Sequence, residues 1–201
     1  STDELTSLKD SQTVESPIAQ EAMEYIKNKK ISLSLPDMHR TLHKEGQDNT
    51  RAAGLKFSPS DIRPDWNSMQ TFENEEGNTW LFPLISTTPI SGTVYTRIKG
   101  KVLAQATITS SKLLIKKKEG KLIGRIVTYI PERKFVRIKG NSVEKLGFQL
   151  RGSNFSGVYL VSSLNGIWIY GEKYDEGRLV FRFGPNLNKS KTRGTVPNVG
   201  G

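Results

Sequence analysis

The chain has 201 residues, a formal net charge of +10 and no cysteine, so disulfides, thiolate nucleophiles and cysteine-ligated zinc or iron–sulfur centres are excluded. A hydrophobic content of 35% suits one domain with a sizeable core, or two very small ones, and no apolar run reaches the about 18–20 residues that a membrane-crossing helix needs. The charge is uneven: Arg97 to Lys145 holds 14 lysines and arginines against three acids, a local balance of +11, which suits an anionic partner but more often marks a lysine-rich solvent face.

Residues 1–15 are polar and aperiodic and read as a disordered leader. Ser16-Pro17 is a helix start, with serine as N-cap and proline at the first helical position. Ile18, Ala22 and Ile26 then form one apolar stripe, and Lys27, Lys29 and Lys30 close the helix against its C-terminal dipole. Residues 31–78 show no sustained strand pattern, and Trp66 is expected to pin this stretch onto the core.

From Trp80 onward strands dominate. Thr79–Ile85 is a strand that Pro83 pushes toward an edge or bulge. Residues 93–100 and 101–108 are the next two strands, joined near Gly100. Residues 112–118 and 121–130 flank Glu119-Gly120 as a hairpin, and short strands are expected around Lys134–Ile138 and Leu146–Arg151. Asn165-Gly166 predicts a type I′ turn joining residues 157–164 to 167–174. Asp175-Glu176-Gly177 predicts a three-residue loop leading into 178–183. Residues 184–201 are rich in Gly, Pro and Asn and read as a flexible tail. The fold class is therefore α+β: one domain over 16–183, a short N-terminal helix followed by a mainly antiparallel β-meander, in a sheet long enough to curve or partly roll.

Those two turns set a register in which Leu164 faces Ile167 and Gly171 faces both Leu160 and Phe181, so that Phe181 covers the bare glycine backbone. Alternation then sorts the side chains. Val158, Leu160, Leu164, Ile167, Ile169, Leu179, Phe181 and Phe183 form the core face. Tyr159, Trp168, Tyr170, Tyr174, Arg178 and Arg182 fall on the other, with Val161, Glu172 and Val180. Those six are the candidate ligand-binding residues, because tyrosine, tryptophan and arginine dominate binding hot spots; the alternative is that a second layer covers them.

Catalytic constellations are missing. His39 and His43, the only histidines, are spaced i, i+4, but Arg40 and Thr41 follow His39 where a zinc protease carries its glutamate, and a third ligand such as Asp37 or Glu45 would be needed. No metal and no cofactor is expected. Ser142 and Lys145 match an SxxK spacing without its partner motifs, and no phosphate-cradling or dinucleotide glycine pattern occurs. Glu172, Asp175 and Glu176 could supply a carboxylate pair for a glycan-active enzyme, though carboxylates at turns are usually turn formers. Tyr129 and Phe135, set within the basic stretch, could be stacking platforms for nucleic acid.

Pro64-Asp65-Trp66, the run Ile123 to Pro131, Phe155-Ser156-Gly157, Leu164-Asn165-Gly166 and the stretch Tyr174 to Gly177 occur in an order that resembles a large group of exported Bacteroidetes lipoproteins. The resemblance covers roughly residues 17 to 183. It implies an exported protein at the cell surface or in the periplasm, held to a membrane only through an N-terminal lipid anchor that this chain lacks. It implies no activity. The reading it favours is a non-catalytic binding module for an envelope protein, peptide or glycan. Polyanion binding through residues 97–145, and a glycan-active enzyme, rank below it.

Overall fold

The computed structural model describes residues 14, 16–36, 53–56 and 62–185. His39 and His43, most of the leader and the tail beyond Pro185 lie outside these residues. Among the described residues the fold is α+β, a short N-terminal helix and a one-turn helix with mostly antiparallel strands. Helix α1 (Pro17–Asn28) begins as its sequence requires: the Ala19 N–H donates to the Ser16 hydroxyl at 3.4 Å, and Pro17 stands where a missing N–H breaks no helical bond. Its stripe turns inward, with Ala19 and Ala22 fully buried and Met23 and Ile26 packed beside them.

Eleven strands follow: β1 (Ala53–Lys56), β2 (Ile62–Pro64), β3 (Gln70–Asn74), β4 (Gly77–Ser86), β5 (Ser91–Ile98), β6 (Lys101–Ile108), β7 (Ser110–Lys118), β8 (Lys121–Pro131), β9 (Gly157–Ser162), β10 (Trp168–Asp175) and β11 (Arg178–Phe183). Eight of them form the main sheet in the order β11-β10-β9-β8-β7-β4-β2, with β3 also paired to β4; β1, β5 and β6 form a separate three-stranded sheet. Pro83 sits in β4 where its partner changes from β3, whose first residue Gln70 is opposite Leu81, to β2, whose last residue Pro64 is opposite Leu84. A residue without an N–H is tolerated at that join, and its carbonyl accepts from the Asp65 N–H at 2.7 Å.

Both faces of the main sheet are covered. On one, α1, residues 31–35 and Trp66 pack on Phe82, Leu113, Ile115 and Ile126, with Trp66 meeting Phe82 edge-on at 5.0 Å as expected of a pinning residue. Further along the same face, Val94 of β5 closes over Ile130, Val158, Leu160 and Phe183. On the opposite face, residues 132–156 lie across Tyr129, Tyr159 and Val161.

That cover is not built from the short strands expected at Lys134–Ile138 and Leu146–Arg151. It holds a one-turn helix, α2 (Arg133–Val136), and a 3₁₀ turn at Val143–Lys145. Its amides are satisfied locally: Phe135 and Val136 donate to Glu132 O, and Arg137 to Arg133 O. Phe135, Leu146 and Leu150 then dip singly onto the sheet, which requires no strand alternation.

The two last turns exchange the types expected of them. Asp175 pairs with Arg178, so Glu176-Gly177 is a two-residue loop, and both residues have positive φ (46° and 80°), a type I′ turn. At Asn165-Gly166 only Gly166 has positive φ; its N–H donates to Ser163 O, and the Ser163 N–H donates to Ile167 O, giving a three-residue loop. Leu164 therefore does not face Ile167. The shorter turn at Glu176-Gly177 moves the β10–β11 register by one residue and a bulge after Lys173 moves it by another, so Gly171 faces Phe183 instead of Phe181. Gly171 does face Leu160, and it is the ring of Phe183 that lies over the glycine.

Candidate functional site

The six candidate residues do not share one open face. The register shifts between Trp168 and Tyr170, leaving Ile169 as an extra residue, and this bulge turns Trp168 to the side of Val158, Leu160 and Phe183. Trp168 is 6% exposed and packs 5.5 Å from the Phe183 ring. Ile167 and Ile169, expected in the core, are exposed. The second bulge acts likewise on Leu179, which packs with the Tyr159 side of the sheet while Phe181 stays with Phe183.

Tyr159, Tyr170, Tyr174 and Arg182 are brought together as expected, but Tyr159 and Tyr174 are each only 3% exposed beneath residues 132–156. Tyr159 lies 5.5 Å from Tyr129, and Tyr174 lies 6.3 Å from Phe155. The group is organised by Glu172. Its carboxylate accepts from the Tyr174 hydroxyl at 3.1 Å and from Arg182 Nε and Nη2 at 3.2 and 2.8 Å, while the Arg182 guanidinium lies 5.4 Å from the Tyr170 ring centre. Burial pushes the phenols of Tyr159, Tyr170 and Tyr174 up, with Glu172 adding to each. Arg178 stands apart, its side chain 81% exposed and 3.6 Å from Asp175.

Two further carboxylates nearby, Glu132 and Asp175, are also paired. Glu132 accepts from Lys173, and Asp175 accepts from Lys134, whose ammonium holds that carboxyl below its ordinary range. Carboxylates so engaged hold the 132–156 layer and the β10–β11 turn in place. None is aimed at an open cleft as a general acid must be. Among the described residues, no group of three His, Asp or Glu side chains could hold a metal ion.

The basic region is not one surface either. Lys116, Lys117, Lys118 and Lys121 cluster at the β7–β8 turn, and Arg133, Lys134, Arg137 and Lys139 lie beyond the far end of β8. Strand β8, eleven residues from Lys121 to Pro131, spans the distance between the two groups, about 36 Å at roughly 3.3 Å per residue. Tyr129 and Phe135, the proposed stacking platforms, are both buried. Lys112 is buried too. Its Nζ donates among Gln70 Oε1 (2.9 Å), Val143 O (3.1 Å), Glu144 O (3.1 Å) and Leu146 O (2.6 Å), and lies 5.0 Å from the Tyr129 ring centre. Burial lowers its pKa to about 8 against the opposing pull of Glu144. Lys112 thus ties the 3₁₀ turn to the sheet. In that turn Ser142 caps the Glu144 N–H at 3.2 Å and Lys145 donates to Gly140 O at 3.3 Å, which gives both SxxK residues structural roles.

The uncovered surface lies in the smaller sheet. On β6, Val102, Leu103, Ala104, Ala106 and Ile108 are all exposed, Ile108 to 68%. The strand pairs with β5 along eight residues without a bulge, and among the described residues nothing pairs with its far edge. The two-residue Lys99-Gly100 turn makes Ile98 and Lys101 a hydrogen-bonded pair. Alternation from there points the N–H and C=O of Val102, Ala104, Ala106 and Ile108 at the open edge, and puts their side chains on the sheet's outer side. A signal for this was present in the sequence: Val102 to Ser111 is a run of ten uncharged residues in the most basic part of the chain. A small cleft of about 110 Å³ lies beside it, between Leu35, Ile62, Leu84, Ile90 and Ile108. No family model, curated protein or solved structure matches the chain.

Proposed function

We propose that the protein is a non-catalytic interaction module that accepts an extended polypeptide strand along β6. The observation that supports this reading is the combination on one strand of an edge unpaired among the described residues, an apolar outer side and an uncharged run. Strand addition takes affinity from main-chain hydrogen bonds and selectivity from alternate side chains, and β6 offers both. An exported, envelope-associated setting, as the lipoprotein resemblance implies, belongs to the same proposal. The six residues around β10 act in it as support, because most of them hold the layer that stiffens the main sheet.

The test uses an uncharged peptide of alternating threonine and valine as probe, with amide hydrogen exchange as readout. At a concentration low enough to keep the chain monomeric, the amides of Val102, Ala104, Ala106 and Ile108 are expected to exchange fast in the free protein and to be protected by the peptide. Ala106→Pro removes one outward N–H without touching the β5 ladder, and is expected to abolish that protection. Peptide binding that protects other strands and leaves these four amides fast, or no binding at all, would sink the reading.

A further inference from the structure

We infer that the strand β6 accepts is β6 of a second copy of this chain, paired antiparallel about a two-fold axis at Gln105; this rests on the strand-accepting reading above. The first argument is a comparison of edges. Natural sheets guard exposed edges with short strands, prolines, bulges or outward charges. The edge strand β11 carries Arg178 and Arg182 and is bulged against β10. At the other end of that sheet, β2 has three residues and a proline, and β3 has five residues with Glu73. In the small sheet β1 has four residues and a lysine. Among the described edge strands, β6 alone is long, free of bulges and without proline, and its single charge, Lys101, stands at its end.

The second argument is charge. Two copies of a chain carrying +10 repel, so they can approach closely only along a neutral seam. The ten residues from Val102 to Ser111 are such a seam. A parallel pairing would set the two Lys101 side chains together. The antiparallel pairing centred on Gln105 sets each Lys101 opposite Thr109 of the other copy and keeps the two lysines at opposite ends.

The third argument is register. Pairing about Gln105 matches Val102 with Ile108 and Ala104 with Ala106 of the second copy. These are the four residues whose hydrogen-bonding groups point outward, so this register engages all of them in the new ladder. The same pairs put β-branched residues opposite each other and alanine opposite alanine on the outer side, and join two three-stranded sheets into one of six.

Sedimentation velocity of the full chain, from micromolar to near-millimolar concentration, tests this. The wild type is expected to pass from monomer to dimer. Ala106→Pro, and separately Ala104→Lys, are expected to weaken the dimer at least tenfold with melting temperatures near that of the wild type. Val180→Lys, on the exposed edge of β11, is expected to leave the dimer intact. A dimer indifferent to both β6 variants would place the seam elsewhere and overturn the inference. So would a chain that stays monomeric throughout, whether its β6 edge is open or already protected from exchange by another segment of the same chain. If that monomer still binds the threonine–valine peptide on β6, the strand-accepting reading survives and only the second copy is lost; if it does not, both fail.

Discussion

Strands β8 to β10 and the hairpin β5–β6 have similar residue types and opposite environments. The former lie between two layers, so β9 is buried along its whole length and both Trp168 and Tyr159 are core although they point to opposite sides. The latter is covered on one side only, where Val94 meets the main sheet, and β6 is exposed nearly throughout. Alternation assigns a side chain to a face; it is silent on whether that face is covered. Burial is decided by what the intervening loop does, and in this protein the loop between β8 and β9 folds back while nothing among the described residues folds over β6.

The sharpest way to break this contrast is Trp168→Ala. If the doubly covered region is core, the loss should be about 3–5 kcal/mol, as for large aromatic truncations in packed interiors. Denaturant unfolding measures it. A loss under about 1 kcal/mol would mean that Trp168 lies on an accessible face after all.

Alkaline pH should attack the same region next. Tyr129 and Tyr159 are held protonated by burial, Tyr129 with its hydroxyl donating to Gly147 O at 2.7 Å. Above pH about 10 the unfolded chain releases phenolic protons that the folded chain keeps, so each buried tyrosine costs up to about 1.4 kcal/mol of stability per pH unit. Lys112 works in the opposite sense. Its folded pKa of about 8 lies below the ordinary 10.5, so stability gains from it as pH rises from 8 to 10.5. Stability should therefore hold or rise slightly up to pH about 10 and fall steeply beyond it. A smooth decline beginning at pH 8 would contradict the sign for Lys112.

Lys112→Met tests the tie between sheet and cover. It leaves the carbonyls of Val143, Glu144 and Leu146 without their donor, an expected cost of about 1–3 kcal/mol. The loss should be local first: amides of residues 142–147 should exchange faster while those of β5 and β6 are unchanged. Uniform acceleration across the protein would show that the cover and the sheet open together.

Much of the architecture was legible in the sequence because its signals are local. The Ser16-Pro17 cap, the Lys99-Gly100 and Glu119-Gly120 turns and every long strand follow from neighbours in the chain. The candidate site was less legible because its decisive features are tertiary. A bulge of one residue at Ile169 reverses Trp168, and no residue type there announces it. Glu176-Gly177 takes the tight turn because Ser153 O packs against Gly177, whose N–H donates to Phe155 O at 2.9 Å. Asn165-Gly166 is drawn out of it where the Ser34 N–H donates to Leu164 O at 3.0 Å. Both turns are set by chain segments far away in sequence.

The smallest expected effect bears on the hairpin. Val102→Ser with Ile108→Ser removes apolar surface about half or more of which is already in water (Val102 47%, Ile108 68% exposed), so the monomer should lose no more than about 0.5 kcal/mol, in line with substitutions away from packed features. The reason is specific to these positions. Both side chains stand on the outer side of β6, opposite the side on which the Gln105 amide oxygen accepts from the Arg133 N–H at 3.3 Å, and neither belongs to a core cluster. Measured at a concentration low enough to keep the chain monomeric, urea unfolding of the double variant should overlay that of the wild type. At high concentration the two should part, because only the wild type can bury these side chains against another strand. Equal destabilisation at both concentrations would show that the outer side of β6 is covered within one chain, and the contrast between the two regions would disappear.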